Sequence, residues 1–141
     1  MRSLLDVNVL LALFDTEHTG HARARDWLDG AIADGWASCP ITQAGFVRLI
    51  SGPRYPKPVA TPQAVAMIDK ATGTPFHEFW ADDLSLASPA IQRTRLLSHN
   101  QVTDVYLLAL AVAHRGRLVT LDRRISLAAV AGANPDNLVT I

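Results

Sequence analysis

The chain has 141 residues, close to the usual size of one domain, and 49% of them are apolar, so we expect a single domain over residues 1–141. The 13 basic residues balance the 13 acidic ones, which excludes the basic surplus of a general nucleic-acid binder, so that any nucleic-acid-binding surface must be local. Cys39 is the only cysteine, which excludes an internal disulfide, and no stretch approaches the ~18 to 20 apolar residues of a membrane span. We therefore expect a cytoplasmic protein.

The chain begins with a pattern typical of a strand followed by helices. Residues 2–5 predict a short strand leading into Asp6, and residues 7–14 predict a short buried helix with Asp6 as its N-cap. The next helix is amphipathic and ends at Gly35. Its apolar residues recur at helical spacing along one face: Ala24, Trp27, Leu28, Ala31 and Ile32.

A second strand and a third helix follow. Residues 36–39 predict the strand, which Pro40 ends, and residues 41–50 predict the helix. Three residues of this helix are expected to face the core: Phe46, Leu49 and Ile50. Residues 52–58 contain three prolines and a glycine, which indicates a loop.

The middle of the chain predicts two more helices around a strand. Thr61 is expected to cap the first of these helices, with Pro62 at its first helical position, and the helix runs to about residue 72. Residues 76–80 predict a third strand, and residues 89–97 are expected to be helical.

The most apolar helix of the chain is predicted over residues 102–114 and is expected to be central and well buried. Residues 118–121 then form a fourth strand that delivers Asp122. A short helix from Ser126 and a last strand over residues 138–141 complete the chain. Because strands and helices alternate throughout, we predict an α/β fold with a parallel sheet and helices on both faces.

Three acids are expected at one edge of this sheet. Ligands bind at the carboxyl ends of the strands in an open parallel sheet, and Asp6 and Asp122 follow the first and fourth strands there. Asp104 opens the buried helix, so it lies close to the core and must be paired, capping or bound to a metal. Singly, each acid also has a structural interpretation, Asp6 and Asp104 as helix caps and Asp122 as a turn residue. Together they favour a Mg²⁺ or Mn²⁺ site able to activate water for phosphodiester cleavage.

Four motifs carry a resemblance that spans the chain from Leu4 to about Arg124. In chain order they are LLDVNVLLAL, ITQAGFVRLI, QVTDVYLLALA and LVTLD. In this order the motifs resemble those of PIN domains, and are most similar to the VapC-type ribonuclease toxins of toxin–antitoxin pairs. The resemblance implies a three-layer sandwich with a parallel sheet of about five short strands flanked by helices. It also implies divalent metal at the acids, cleavage of RNA, inhibition by a small antitoxin protein, and a homodimer or toxin–antitoxin hetero-oligomer.

The resemblance also assigns roles to individual residues. By motif, Asp6, Asp104 and Asp122 match the family's first, third and fourth acids, and all three are expected to act in catalysis and metal binding. Thr120 matches a supporting hydroxyl and shares a strand face with Asp122. Gln43 matches the second acid, which is commonly Glu. A neutral amide there can orient a water or coordinate weakly, but it cannot offset the charge of a metal.

Other functions remain as alternatives. The change at Gln43 is also typical of a degenerate module that binds RNA or a partner protein without cleavage. A phosphatase or phosphotransfer domain also has an acid after its first strand. Against it, Asn8 stands where the phosphatase pattern has a second Asp, and no lysine follows Lys70.

Several further residues have two open interpretations. The spacing of His18 and His21 is that of metal ligands, but no third ligand lies nearby, which favours surface or capping roles. Asp82 or Asp83 can replace the missing acid only if the third strand lies next to the others, whereas we expect it at a sheet edge. Trp27 and Trp36 are interpreted as core residues. Four arginines form either an RNA-facing patch or ordinary solvated surface: Arg48, Arg54, Arg93 and Arg95.

Overall fold

The computed structural model describes residues 1–141, and its centre is a parallel five-stranded sheet. The strands, in chain order, are β1 (Ser3–Leu5), β2 (Trp36–Ser38), β3 (His77–Phe79), β4 (Arg117–Thr120) and β5 (Leu138–Thr140). They lie in the spatial order β3-β2-β1-β4-β5, and every neighbouring pair is parallel. This arrangement confirms the predicted parallel sheet of five short strands.

Helices cover both faces of the sheet. They are α1 (Val7–Phe14), α2 (His21–Ala31), α3 (Pro40–Ile50), α4 (Thr61–Thr72) and α5 (Val102–Ala113). Successive side chains of a strand point to opposite faces, and β1 accordingly places Leu4 in the core beneath α5 and Leu5 in the core shared with α1, α3 and α4. The predicted three-layer sandwich is therefore confirmed. None of these helices has the length and apolarity needed to cross a bilayer.

Helix α5 has the central position that its sequence predicts. All residues from Val105 to Ala111 are buried. The helix follows a capping box in which the Ser98 hydroxyl accepts a hydrogen bond from Asn100 N (3.2 Å), while Gln101 Oε1 accepts one from Ser98 N (3.1 Å). This turn fixes the start of α5, and with it the position of Asp104 in the first helical turn.

The prediction of a helix over residues 89–97 is wrong. Only Arg93–Arg95 form a single 3₁₀ turn. The backbone on either side is instead bonded to the segment after residue 128, with Gln92 N donating to Ala129 O (2.9 Å) and Ala131 N donating to Ala90 O (2.8 Å). These hydrogen bonds satisfy backbone groups that a helix would otherwise use.

Three smaller predictions are also corrected. Leu49 does not face the core but is 43% exposed, because Phe46 and Ile50 occupy the inward face of α3. Thr61 is the first residue of α4 and not its cap, which places the proline after it at the second helical position. The short helix expected from Ser126 is one 3₁₀ turn, Leu127–Ala129.

Candidate active site

Two acids follow the two adjacent central strands. Asp6 comes directly after β1, and Asp122 lies two residues beyond the end of β4. Asp6 is 6% exposed and its carboxylate caps α1, accepting a hydrogen bond from Val7 N (2.7 Å). The parallel pairing of β1 and β4 therefore brings residues that are more than a hundred positions apart to the same edge of the sheet.

Thr120 links these two acids through a fully buried hydroxyl. Its Oγ1 donates to Asp6 Oδ2 (2.7 Å) and accepts from Asp122 N (3.0 Å). Asn8 completes the network, because its Nδ2 donates to Asp6 Oδ2 (2.8 Å) and to Thr120 Oγ1 (3.1 Å) while its Oδ1 accepts from Leu121 N (3.0 Å). The Asp6 carboxylate is thus held in one orientation by three donors.

Asn8 is a site residue that the sequence analysis missed. Its only signal is an amide in the first turn of an otherwise apolar helix, and sequence reasoning used it solely to argue against a phosphatase. The network shows that it positions Asp6.

Asp104 lies across a cleft from Asp6, and both side chains line that cleft. Burial is the main cause that raises the pKa of Asp104 from its ordinary 3.8 to about 6, and the negative charges of Asp6 and Asp122 raise it further. Burial also raises the pKa of Asp6, although its hydrogen bonds oppose that change. The state in which Asp6 and Asp104 are both ionised is therefore unfavourable when no cation is bound in the cleft.

Asp122 is held differently, by an exposed arginine. Arg124 donates from Nη2 to Asp122 Oδ2 (2.7 Å), from Nε to Asp122 Oδ1 (3.0 Å) and from its backbone N to the same oxygen (2.8 Å). This bidentate pair lowers the pKa of Asp122. Both oxygens of Asp122 already have a cationic partner, and no three His, Cys, Asp or Glu side chains are close enough together to hold a metal. Asp104 lines one cleft with Asp6 and another with Asp122, and Thr120 bridges Asp6 and Asp122, but the three predicted acids do not form a preformed three-ligand cluster.

The structure does not bring Gln43 to the acids. Its Nε2 donates to Ser38 Oγ (2.9 Å), and that hydroxyl is bonded in turn to His77 Nε2 (2.8 Å). The face of α3 that lines the acid cleft carries Ile41, Ala44, Gly45, Arg48 and Leu49 instead. Helix α3 therefore contributes no carboxylate, and the placement of Gln43 beside the acids is corrected.

Gly45 of α3 packs closely against Val7 of α1. A Cβ at this position would lie 2.7 Å from Val7 Cγ2. A larger side chain at this position requires Val7 to move, so packing between α1 and α3 keeps this part of the cleft free of side chains.

The other predicted candidates lie away from the acids or are bonded locally. Asp82 and Asp83 follow β3, an edge strand as expected, and Asp83 faces His114 (3.5 Å). His18 Nδ1 accepts from Gly20 N (2.9 Å), and His21 Nδ1 is bonded to Ala12 O (2.7 Å). Trp36 is buried in the core, as predicted, and the partly buried Trp27 packs against the same core.

The parallel sheet covered by helices on both faces, with one acid after each of two adjacent central strands and a third acid on the packed helix, is the arrangement of an α/β domain of the PIN type. The PIN domain family profile matches residues 3–132. The chain is 58% identical over 142 residues to Ribonuclease VapC44 of Mycobacterium tuberculosis, with both chains covered completely. It is also 42% identical over 134 residues to Ribonuclease VapC39 of the same organism, covering 94% of this chain and 96% of that one. The chain therefore belongs to the PIN-domain family, among the VapC ribonucleases.

A solved structure supports the fold independently. The crystal structure of VapBC2 from Rickettsia felis, bound to a DNA fragment from their promoter, has a chain that superposes with a TM-score of 0.61 at 15% sequence identity. The match covers 100% of this chain and 98% of the other. At this identity the likeness establishes the fold alone.

Proposed function

We propose that the chain is a metal-dependent endoribonuclease and the toxin of a type II toxin–antitoxin pair, acting on RNA in the cytoplasm as one domain. The observation that carries the proposal is the cleft shared by Asp6 and Asp104, where two carboxylates lie at one edge of the sheet and neither forms an ion pair. The relatives reported above are named ribonucleases, which supports RNA as the substrate.

The donor set of this cleft fits a divalent cation. Both donors are carboxylates, the ligands preferred by Mg²⁺ and Mn²⁺, and Mg²⁺ commonly uses one or two carboxylates with the rest of its shell supplied by water and phosphate. Burial raises the pKa of Asp104 to about 6 and the charges of Asp6 and Asp122 raise it further, so a cation bound in the cleft would favour the ionised carboxylate. Asp6 and Asp104 would hold the ion, which when bound supplies activation of a water and stabilisation of the leaving oxygen.

The chain's own residues prepare the site. Thr120 and Asn8 fix the Asp6 carboxylate, and the first turn of α5 fixes Asp104. Asp122 completes the negative charge and orients the attacking water once Arg124 releases its oxygens. Preorganised donors of this kind keep the acids in place during the reaction.

Incubation of purified, antitoxin-free protein with total cellular RNA in Mg²⁺, in Mn²⁺ and in EDTA tests this proposal. Asp104→Asn is compared with Asp69→Asn, a matched change on the exposed side of α4. We expect discrete fragments that disappear in EDTA and with Asp104→Asn but persist with Asp69→Asn. Fragments that survive both EDTA and Asp104→Asn would contradict metal-dependent cleavage at this site.

A second candidate function is a module that binds RNA or a partner protein without cutting it. The observation that favours it is the absence of any carboxylate on the cleft face of α3. It predicts RNA binding that is insensitive to metal and no product even with excess Mn²⁺. Any EDTA-sensitive product excludes this candidate.

We further propose a small antitoxin protein as the partner, and assembly as a homodimer or a toxin–antitoxin hetero-oligomer. The reported VapBC2 structure supports this as a complex between proteins of this fold and their partners. Co-expression with the protein encoded by the adjacent gene, followed by light scattering of the purified material and RNA cleavage, tests it. A chain that stays a monomer and is equally active with that protein would contradict the assignment.

A further inference from the structure

Asp104 forms a wall of two different clefts. The first, of about 530 Å³, runs between α1 and α3 and contains Asp6. The second, of about 210 Å³, runs between the turn before α5 and the segment after β4, and contains Asp122. Because Asp104 lines both clefts, they adjoin at the acids, and the word groove denotes the two clefts together, each of them one arm. We call them the α3 arm and the polar arm.

Each arm has one arginine on its wall. Arg48 of α3 lines the α3 arm, is exposed, and takes part in none of the ion pairs of the chain. Arg124 lines the polar arm, and its Nη1 takes no part in the pair with Asp122. A guanidinium binds phosphate through paired N–H groups. The zero net charge of the chain is thus compatible with a local pair of cations on either side of Asp104.

The two arms differ in the chemistry of their walls. The polar arm presents hydroxyl and amide groups from Ser98, Asn100, Gln101 and Ser126. The capping box uses Gln101 Oε1 and the backbone N–H of Asn100. It leaves Gln101 Nε2 and the side-chain amide of Asn100 without a hydrogen-bond partner in the protein. Such free donors and acceptors match the edge of an unpaired base. Nearly half of the residues that line the α3 arm are apolar, which suits the sugar and the face of a base more than its edge.

We propose that this groove binds one single strand of RNA across Asp104, with Arg48 on a phosphate in the α3 arm and an adjacent base read in the polar arm. The inference rests on the proposed function, since it takes RNA as the substrate. The strand is single because a base paired in a duplex cannot present its Watson–Crick edge to Asn100 and Ser126. Base preference and general affinity are therefore assigned to opposite sides of the acids.

Binding is measured separately from cleavage. Fluorescence anisotropy in EDTA follows labelled eight-nucleotide strands of A, C, G or U against increasing NaCl. We expect Arg48→Ala to weaken the binding of all four strands about tenfold, and to reduce the slope of log affinity against log salt by about 0.7, the value for one phosphate contact on a single strand. Arg54→Ala is the matched control, because Arg54 is exposed in the loop after α3 and lines neither arm.

The polar arm has its own variants. Asn100→Ala and Ser126→Ala are expected to change the ranking of the four strands at least threefold while leaving the salt slope unchanged. Gln63→Ala, an exposed amide on α4, is the control. Three outcomes would each overturn the proposed groove. The first is an Arg48→Ala protein that binds like Arg54→Ala, and the second is a ranking of the four strands that neither polar-arm variant changes. The third is tighter binding of a duplex than of its single strands.

The failures of the two proposals are distinguishable. If cleavage depends on metal but none of the three groove variants changes RNA binding, the proposed groove is overturned and the proposed nuclease activity stands. If the variants change RNA binding as predicted but no cleavage product forms in Mn²⁺, the proposed groove is supported and the proposed nuclease activity is overturned.

Discussion

The ionised carboxylate of Asp104 is expected to lower the free energy of unfolding of the metal-free protein. Replacing it with a neutral amide in Asp104→Asn should therefore make the fold more stable. The carboxyl makes no hydrogen bond that Asp104→Asn would remove, and burial beside Asp6 and Asp122 raises its pKa from 3.8 to about 6. A pKa raised from 3.8 to about 6 corresponds to a free energy of at most ~3 kcal/mol, at ~1.36 kcal/mol per pH unit. Because the side chain is only half-buried, solvent screening reduces this, and we expect a gain of about 1 kcal/mol at pH 8.

The sign of the pH dependence follows from the direction of the shift. A folded-state pKa above the ordinary value means that the folded protein binds the proton more tightly, so ionisation destabilises it. The cost of the charge is fully present above pH 6 and disappears as the pH falls to the unfolded value of 3.8. The advantage of Asp104→Asn should therefore be largest at pH 8 and absent near pH 3.5.

Urea unfolding in EDTA, repeated between pH 3.5 and 8, measures this effect. With a slope of about 2 kcal/mol per molar, a gain of 1 kcal/mol raises the midpoint by about 0.5 M. Asp69→Asn, on an exposed face of α4, is the control. If Asp104→Asn is no more stable than Asp69→Asn at pH 8, or if its advantage persists at pH 3.5, the inferred cost of ionising Asp104 in the cleft is refuted. Added Mn²⁺ should reverse the order, because only the wild type keeps both carboxylates for the ion.

Two further predictions concern the contacts that hold the other acids. Thr120→Val keeps the side-chain shape but removes a buried hydroxyl that bonds Asp6 and Asp122 N, so we expect a loss of roughly 2–4 kcal/mol in the free energy of urea unfolding. Thr140→Val, on the exposed partner position of β5, should change it by less than about 0.5 kcal/mol, and equal effects of the two would contradict a special role for the buried hydroxyl. Arg124→Gln should tighten Mn²⁺ binding measured by calorimetry several-fold, because it frees the oxygens of Asp122; unchanged or weaker binding would show that the ion pair does not compete with the metal.

The positions of Asp6 and Asp122 could be predicted from the sequence because they depend on two robust features. Short apolar runs alternate with helical patterns, and parallel strands place their carboxyl ends at the same edge of a sheet. Asp104 was predictable for a different reason, since an acid that opens a nearly all-apolar helix must lie against the core. None of these inferences requires knowledge of how a helix is rotated about its axis.

The face that α3 presents to the acids did require that knowledge. Helical periodicity identifies residues that share a face, but Gln43 and Gly45 both lie in the same apolar motif, and a motif match places a residue only to within a turn. The rotation of α3 is set by Phe46 and Ile50 in the core and by the close contact of Gly45 with Val7. These are long-range packing contacts, which a single sequence does not contain.

The pairing of Asp122 with Arg124 was hidden for a similar reason. Residues two apart on a helix do not face each other, and a turn has no fixed side-chain spacing, so the sequence shows only two charges near a turn. The turn after β4 brings the guanidinium back onto the carboxylate. Sequence reasoning therefore counted three acids at the site without the cation that neutralises one of them.

That cation changes the charge that a metal meets. The ion pair with Arg124 neutralises Asp122, so the two carboxylates without an ion pair are those of Asp6 and Asp104 in the same cleft. One divalent ion balances them, so the site needs no further acid from α3 to reach neutrality. A carboxylate at Gln43 would face Ser38, where an amide donates the present hydrogen bond, and one at Gly45 would displace Val7. The absence of an acid on α3 is therefore compatible with the proposed single-ion site, in which Arg124 would determine whether Asp122 joins the other two acids.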